Sequence, residues 1–128
     1  MLIDKQRILV VDDEKDILHI VTKGLELKGY DVDGFTDPTE AIQQFKPSKY
    51  DAVITDIRMP ILNGFDLYRL IRKQDDKVKV FFMTAFDIYE NEAKLVFPNL
   101  APNSFIKKPT TIDKLVQLLE GPPSVTAT

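Results

Sequence analysis

The feature that most constrains this chain is a change of hydrophobic period that recurs along its whole length. Short apolar runs alternate with longer stretches whose apolar residues fall at helical spacing. "RILVV" (7–11) is continuous, rich in β-branched residues and too short for a helix, so it reads as a buried strand. Residues 14–28 read as a helix with Ile17, Leu18, Val21 and Leu25 on one face and Gly29 where a C-terminal cap belongs. "YDVDGF" (30–35) alternates polar and apolar residues, which predicts a weaker strand at a sheet edge. A helix follows with Asp37 as N-cap, Pro38 at its first position and Glu40 at capping-box spacing.

The pattern then repeats. "YDAVITD" (50–56) is a strand, and residues 64–73 are a helix with Leu67, Leu70 and Ile71 inward. "VKVFFMT" (78–84) is a strand, and "DIYENEAKLVF" (87–97) is a helix stopped by Pro98. "SFIKK" (104–108) is the fifth strand. The closing helix "TTIDKLVQLLE" has Thr110 and Asp113 at capping-box spacing and a packing face of Ile112, Leu115, Val116 and Leu119. Five βα units imply an α/β, doubly wound sandwich: a parallel sheet with right-handed crossovers and helices on both faces. Residues 1–120 are expected to form one domain. "GPPSVTAT" (121–128) has no core-forming pattern and is expected to be a flexible tail or a linker stump.

Composition excludes several classes. The chain has no cysteine, so disulfides and thiolate metal sites are ruled out. Its net charge is -3 and its cations are scattered, which argues against nucleic-acid binding by this segment. No apolar run approaches the roughly 18 residues of a membrane span. Charges interrupt "MLIDKQRILVV", where a signal peptide needs an apolar stretch, so a cytoplasmic protein without membrane partners is expected.

In a doubly wound sheet, ligands sit beyond the carboxyl ends of the strands. Here the first strand ends in Asp12 and Asp13, the third in Asp56, the fourth in Thr84 and the fifth in Lys108. One of the paired aspartates could cap the helix that follows, which leaves the other unexplained. Ionised carboxylates ~4 Å apart at an effective dielectric of ~20 repel by about 4 kcal/mol per pair. A raised pKa or a bound cation relieves that repulsion. An all-oxygen donor set favours a hard divalent ion. Magnesium fits best, with Mn2+ or Ca2+ as substitutes.

These residues resemble the receiver domain of two-component response regulators. "DIRMPILNG" (56–64) is similar to the family's phosphorylation segment: aspartate, two variable residues, Met-Pro, two variable residues, Asn or Asp, then Gly. "VVDDE", "MTA" and "KKP" follow the right strands in the right order. The resemblance implies a flavodoxin-like sheet in the order 2-1-3-4-5. It implies a phosphoacceptor switch rather than an enzyme, beyond catalysis of its own phosphorylation and dephosphorylation. The implied phosphoacceptor is Asp56, and the implied magnesium site is Asp13 with Asp12, Asp56 and the backbone carbonyl of Arg58. Lys108 would pair with the acceptor carboxylate or the phosphoryl group, Thr84 would hydrogen-bond a phosphoryl oxygen, and Phe105 holds the place of the switch aromatic. The Lys108–Pro109 bond is expected to be cis.

The implied donor is the phosphohistidine of a sensor histidine kinase or phosphotransfer protein. The implied responding surface is the face made by helix 87–97, strand 104–108 and the last helix, open to an effector or a homodimer. The chain departs from many relatives in "FPNLAPNSF", where they carry a small Gly-Ala step; its prolines predict an early end to helix 87–97. Phe86 and Arg58 flank the expected phosphoryl site. The competing enzyme reading is a magnesium-dependent phosphatase or phosphotransferase with an aspartyl intermediate. It is weakened because such hydrolases usually carry a second carboxylate two residues after the nucleophile, where this chain has Arg58. A flavodoxin-like cofactor binder would need a phosphate cradle after the first strand, where acids stand. A histidine phosphocarrier on His19, the one histidine, would be a helical bundle, and His19 is expected on the surface of the first helix.

Overall fold

The computed structural model describes residues 6–85, 91, 94, 95, 97 and 104–121. Its elements run β1 (Arg7–Val11), α1 (Lys15–Leu27), β2 (Asp31–Phe35), α2 (Pro38–Gln44), β3 (Ala52–Asp56), α3 (Gly64–Gln74), β4 (Lys79–Thr84), β5 (Phe105–Lys107) and a last helix, Ile112–Glu120. Of the helix expected over 87–97, Asn91, Lys94 and Leu95 are helical, and most of the rest, with Phe86, lies outside the described residues.

The five strands form one parallel sheet in the order β2-β1-β3-β4-β5. The alternating "DVDGF" strand lies at an edge, as its pattern predicts. The continuous apolar strands lie inside because both of their faces are covered. Leu9, Val11, Val53, Val80 and Phe82 point to one side, where Ala41, Phe45, Leu67, Tyr68 and Ile71 from the α2–α3 layer meet them. Ile8, Val10, Ala52, Ile54, Phe81 and Met83 point to the other, against Val21 and Leu25 of α1 and Leu115 and Leu119 of the last helix. Each fully buried large side chain contributes roughly 1.5–3 kcal/mol by leaving water. Among the described residues, no helix is long and apolar enough to cross a membrane.

Two local expectations are adjusted by the packing, and two others hold. The last helix is capped by Thr111, whose hydroxyl accepts from the Lys114 N–H, one residue after the Thr110 expected from spacing. On α3 the buried face is Leu67, Tyr68 and Ile71, while Leu70 is half-buried. Tyr68 takes the inward place because it stacks edge-on against Phe82. Asp37 caps α2 by accepting from the Thr39 N–H and hydroxyl. Gly29 follows the α1 C-cap at φ 97, a conformation that favours glycine.

At the end of the sheet away from the strand tips, Asp75 joins two loops. Its carboxylate accepts from the N–H groups of Ser48, Lys77 and Val78 at 3.0, 2.9 and 3.1 Å. The Ser48 and Lys77 N–H groups chiefly hold its pKa below the usual 3.8. A lowered pKa means that the folded state favours the ionised form. The stabilisation is therefore present above the usual value and is lost as pH falls through the lowered one. Asp75→Asn is expected to cost about 1 kcal/mol at neutral pH, a figure kept small by solvent screening. In urea unfolding, the gap between variant and wild type should close below about pH 4. A gap that stays constant down to pH 3 would refute this role.

Candidate functional site

The strand register carries the expected residues to one place. Val11 lies level with Thr55, so Asp12 and Asp56 leave adjacent strands side by side. Thr84 pairs with Lys107, and the Lys108 N–H donates to the Thr84 carbonyl at 2.8 Å, continuing the ladder one step. The Lys108–Pro109 peptide is cis. Asp12 is fully buried, Asp56 is 7% exposed and Thr84 is 6% exposed, whereas Asp13 and Glu14 are open to solvent.

The Lys108 ammonium sits among these acids. Its Nζ donates to Asp12 Oδ2 at 3.1 Å and to Asp56 Oδ2 at 3.2 Å, and lies 3.5 Å from Glu14 Oε1. The other oxygens of the two buried carboxylates are also engaged. Asp12 Oδ1 accepts from the Glu14 N–H at 2.9 Å, and Asp56 Oδ1 from the Ile57 N–H at 2.8 Å. Burial is the largest influence on Asp12 and Asp56 and raises both pKa values above the usual range, against the pull of Lys108. Repulsion between the acids adds to this as a lesser cause, whereas the sequence suggested it as the main one. For Lys108, burial opposes the charged form, but Asp12 and Asp56 outweigh it and hold the ammonium pKa above 10.5.

Carboxylate oxygens of Asp12, Asp13 and Asp56 all lie within 4.8 Å of one another. The oxygens around a magnesium ion sit ~2.1 Å from it, so opposite ones are ~4.2 Å apart. The three carboxylates are thus close enough to converge on one such ion. Its donors are all hard oxygens, and one ammonium does not balance the acids around it. The donor set fits a hard divalent cation.

The segment after β3 is folded back onto Asp56. The Gly64 N–H donates to the Ile57 carbonyl at 2.8 Å, and Asn63 and Asp66 form a reciprocal capping box that starts α3. A Cβ at Gly64 would stand 2.3 Å from the Asp56 carbonyl oxygen, so only glycine fits there. Arg58 is exposed on this loop. At its tip the Leu62 N–H donates to the Pro60 carbonyl at 2.7 Å across Ile61, which has φ 72. A β-branched residue held at such a φ costs on the order of 1–3 kcal/mol.

Phe105 is half-buried and packs on Phe82, with ring centroids 5.3 Å apart. Phe82 in turn meets Phe65 at 5.1 Å, and Phe65 and Tyr68 meet Phe97 at 6.0 and 4.9 Å. His19 is exposed on α1, as expected. Sequence reasoning did not single out Glu14 as a neighbour of Lys108. Its place directly after the paired aspartates was the available signal.

The Gly64 contact gives a direct check. Gly64→Ala should lower stability by about 1–3 kcal/mol, because backbone rather than a flexible side-chain end must yield. It should also shift the amide resonances of Asp56 and Ile57. An alanine variant as stable as wild type, with those resonances unmoved, would contradict the close approach.

Comparison with known proteins agrees with this geometry. The family described as response regulator receiver domain matches residues 8–120. Sensor protein EvgS of Escherichia coli O157:H7 is 35% identical over 112 residues, which are 88% of this chain and 9% of that protein. A receiver domain structure from Clostridium thermocellum is 32% identical with a TM-score of 0.79, covering 90% of this chain and 91% of that one. The receiver domain of sensor histidine kinase PA1611 from Pseudomonas aeruginosa PAO1, described with magnesium coordinated in its active-site cleft, is 26% identical with a TM-score of 0.78. It covers 91% of this chain and 96% of that one. The chain spans less than half the length of the curated relatives it matches. It belongs to the response regulator receiver domain family, the phosphoacceptor signalling modules of two-component systems.

Proposed function

We propose that Asp56 is the phosphoacceptor of this receiver domain and that a phosphohistidine on a sensor kinase or phosphotransfer protein is the donor. The observation that carries this reading is the bridge from Lys108 to both Asp12 and Asp56, with Asp13 completing a cluster of three carboxylates. Asp56 stands at the tip of a central strand, mostly buried but next to the solvent-open Asp13, so a donor can reach it while bulk water is limited. A carboxylate oxygen of Asp56 attacks phosphorus, and the bond from phosphorus to the donor imidazole nitrogen breaks. The imidazole leaves with the electron pair and regains a proton. Asp56 attacks as a carboxylate, and Lys108 favours that form against the burial that opposes it.

Asp12, Asp13, Asp56 and the carbonyl of Arg58 are the groups that would hold magnesium, with Mn2+ or Ca2+ as substitutes. When bound, the ion supplies charge compensation to the phosphoryl oxygens. Lys108 supplies the same compensation from the protein. Thr84 follows Met83, the register partner of Asp56, and in this reading its hydroxyl would donate to a phosphoryl oxygen. Movement of Thr84 would open space for Phe105 to turn inward, reshaping the face made by helix 87–97, strand 104–108 and the last helix, where an effector or a second copy would bind. In this reading the domain is residues 1–120 and 121–128 a tail or linker, of which 1–5 and 122–128 lie outside the described residues, in a cytoplasmic protein.

Incubation with acetyl phosphate and magnesium should add one phosphoryl group to the wild type. Hydroxylamine should remove it, and Asp56→Asn should not acquire it. Hydroxylamine-resistant label, or label retained in Asp56→Asn, would overturn the assignment. Thr84→Ala should still be phosphorylated within about threefold of wild type. Its Phe105 ring resonances should no longer respond to beryllofluoride, and a wild-type response would exclude Thr84 as the trigger.

A further inference from the structure

Four large apolar side chains are exposed among the described residues: Ile20, Leu27, Ile61 and Leu95. A lone exposed isoleucine is ordinary by itself. Ile61 differs in its backbone. It is the central residue of the turn closed by Leu62 and Pro60, and it sits at φ 72, where a β-branched side chain is least at ease. The residue is 91% exposed, so little packing within the chain offsets that strain. Glycine or asparagine would hold the same turn more easily. Neither the fold nor the carboxylate cluster accounts for an isoleucine here, and strain of this kind points outward to a function.

Its position says what would cover it. Ile61 lies on the loop that leaves Asp56 and returns to it at Gly64. Three peptide units separate Ile61 from Gly64, so their Cα atoms are within about 11 Å, and Gly64 rests against the Asp56 carbonyl. A stable protein partner covers about 800 Å² of its target, a disc roughly 16 Å in radius. A donor protein that delivers a phosphohistidine to Asp56 therefore extends over Ile61. Asp13, Glu14 and Arg58 are exposed at the cluster or on the loop, while Ile61 lies between the exposed Pro60 and the half-buried Leu62. An exposed apolar residue at the edge of a charged site is a common anchor of such a contact.

We infer that Ile61 is a specificity contact for the phosphohistidine-bearing donor, an apolar knob received by an apolar recess beside the donor's histidine. This rests on the assignment of Asp56 as phosphoacceptor. A small acyl phosphate has no surface to engage Ile61, so the two kinds of donor separate the contact from the chemistry.

The histidine kinases encoded in the source genome, each autophosphorylated from ATP, are mixed with the wild-type chain, and the fastest donor is kept. With that kinase, Ile61→Gly and Ile61→Asn should lose at least tenfold in kcat/KM, mainly through KM, while Ile61→Leu stays within about threefold of wild type. With acetyl phosphate all three should label within about twofold of wild type. The urea midpoint of Ile61→Gly should rise, which separates the loss of transfer from damage to the fold. Wild-type transfer rates in Ile61→Gly, or an equal loss with both donors, would overturn the contact. If no kinase labels the wild type while acetyl phosphate labels it at Asp56, the donor contact fails and the phosphoacceptor assignment stands. If neither labels Asp56, the phosphoacceptor assignment fails first.

Discussion

The Lys108 ammonium, shared between Asp12 and Asp56, is the interaction on which the rest of this site depends. Two carboxylates have been carried almost wholly out of water, and burial drives both toward the neutral acid. Bridging by one ammonium opposes that drift, and the N–H groups of Glu14 and Ile57 occupy the remaining oxygens. A buried charge left without its partner costs several kcal/mol, so the three residues stand or fall together. Among the described contacts, one ammonium faces Asp12, Asp56 and Glu14 while Asp13 closes the cluster. Three carboxylates converging on one point are what suits the cluster to a divalent cation.

The scaffold explains why so much charge can be held in place. Parallel strands buried on both faces bring their carboxyl ends to one edge, where backbone register fixes the spacing of side chains. Gly64 lets the loop after β3 lie directly on the Asp56 backbone, and the cap at Asn63 and Asp66 secures its return. On the α3 side, Phe105 leans on Phe82, and Phe82 touches both Phe65 and Tyr68, which hold Phe97. Phe105 is thus one end of a packed row that runs into α3. Interiors at crystal-like density do not deform smoothly, so a turn of Phe105 would be felt by its neighbours.

Much of this was legible before any coordinates. Period alone separated strands from helices, since "RILVV" and "YDAVITD" are too short and too apolar to be anything but buried strands. The polar residues ending each strand marked the site, because the fold must bring strand ends together. What escaped the sequence depends on three-dimensional packing. Tyr68 rather than Leu70 turns inward because Phe82 offers it a ring, and spacing cannot show that. Thr111 rather than Thr110 caps the last helix, a one-residue shift within two adjacent threonines. The dominance of burial over mutual repulsion for Asp12 and Asp56 could not be weighed until their exposure was known. The left-handed backbone at Ile61 has no sequence signal, since isoleucine is among the last residues expected there.

The central claim is that this charge cluster exists so that one carboxylate, Asp56, can carry a phosphoryl group. Borohydride tests it most directly, because it reduces an acyl phosphate to an alcohol and so converts the modified aspartate into homoserine. Tandem mass spectrometry of the protein treated with acetyl phosphate, magnesium and then borohydride should find homoserine at position 56 and aspartate at 12 and 13. Homoserine at 12 or 13, or at none of the three in protein shown to carry phosphate, would contradict the account.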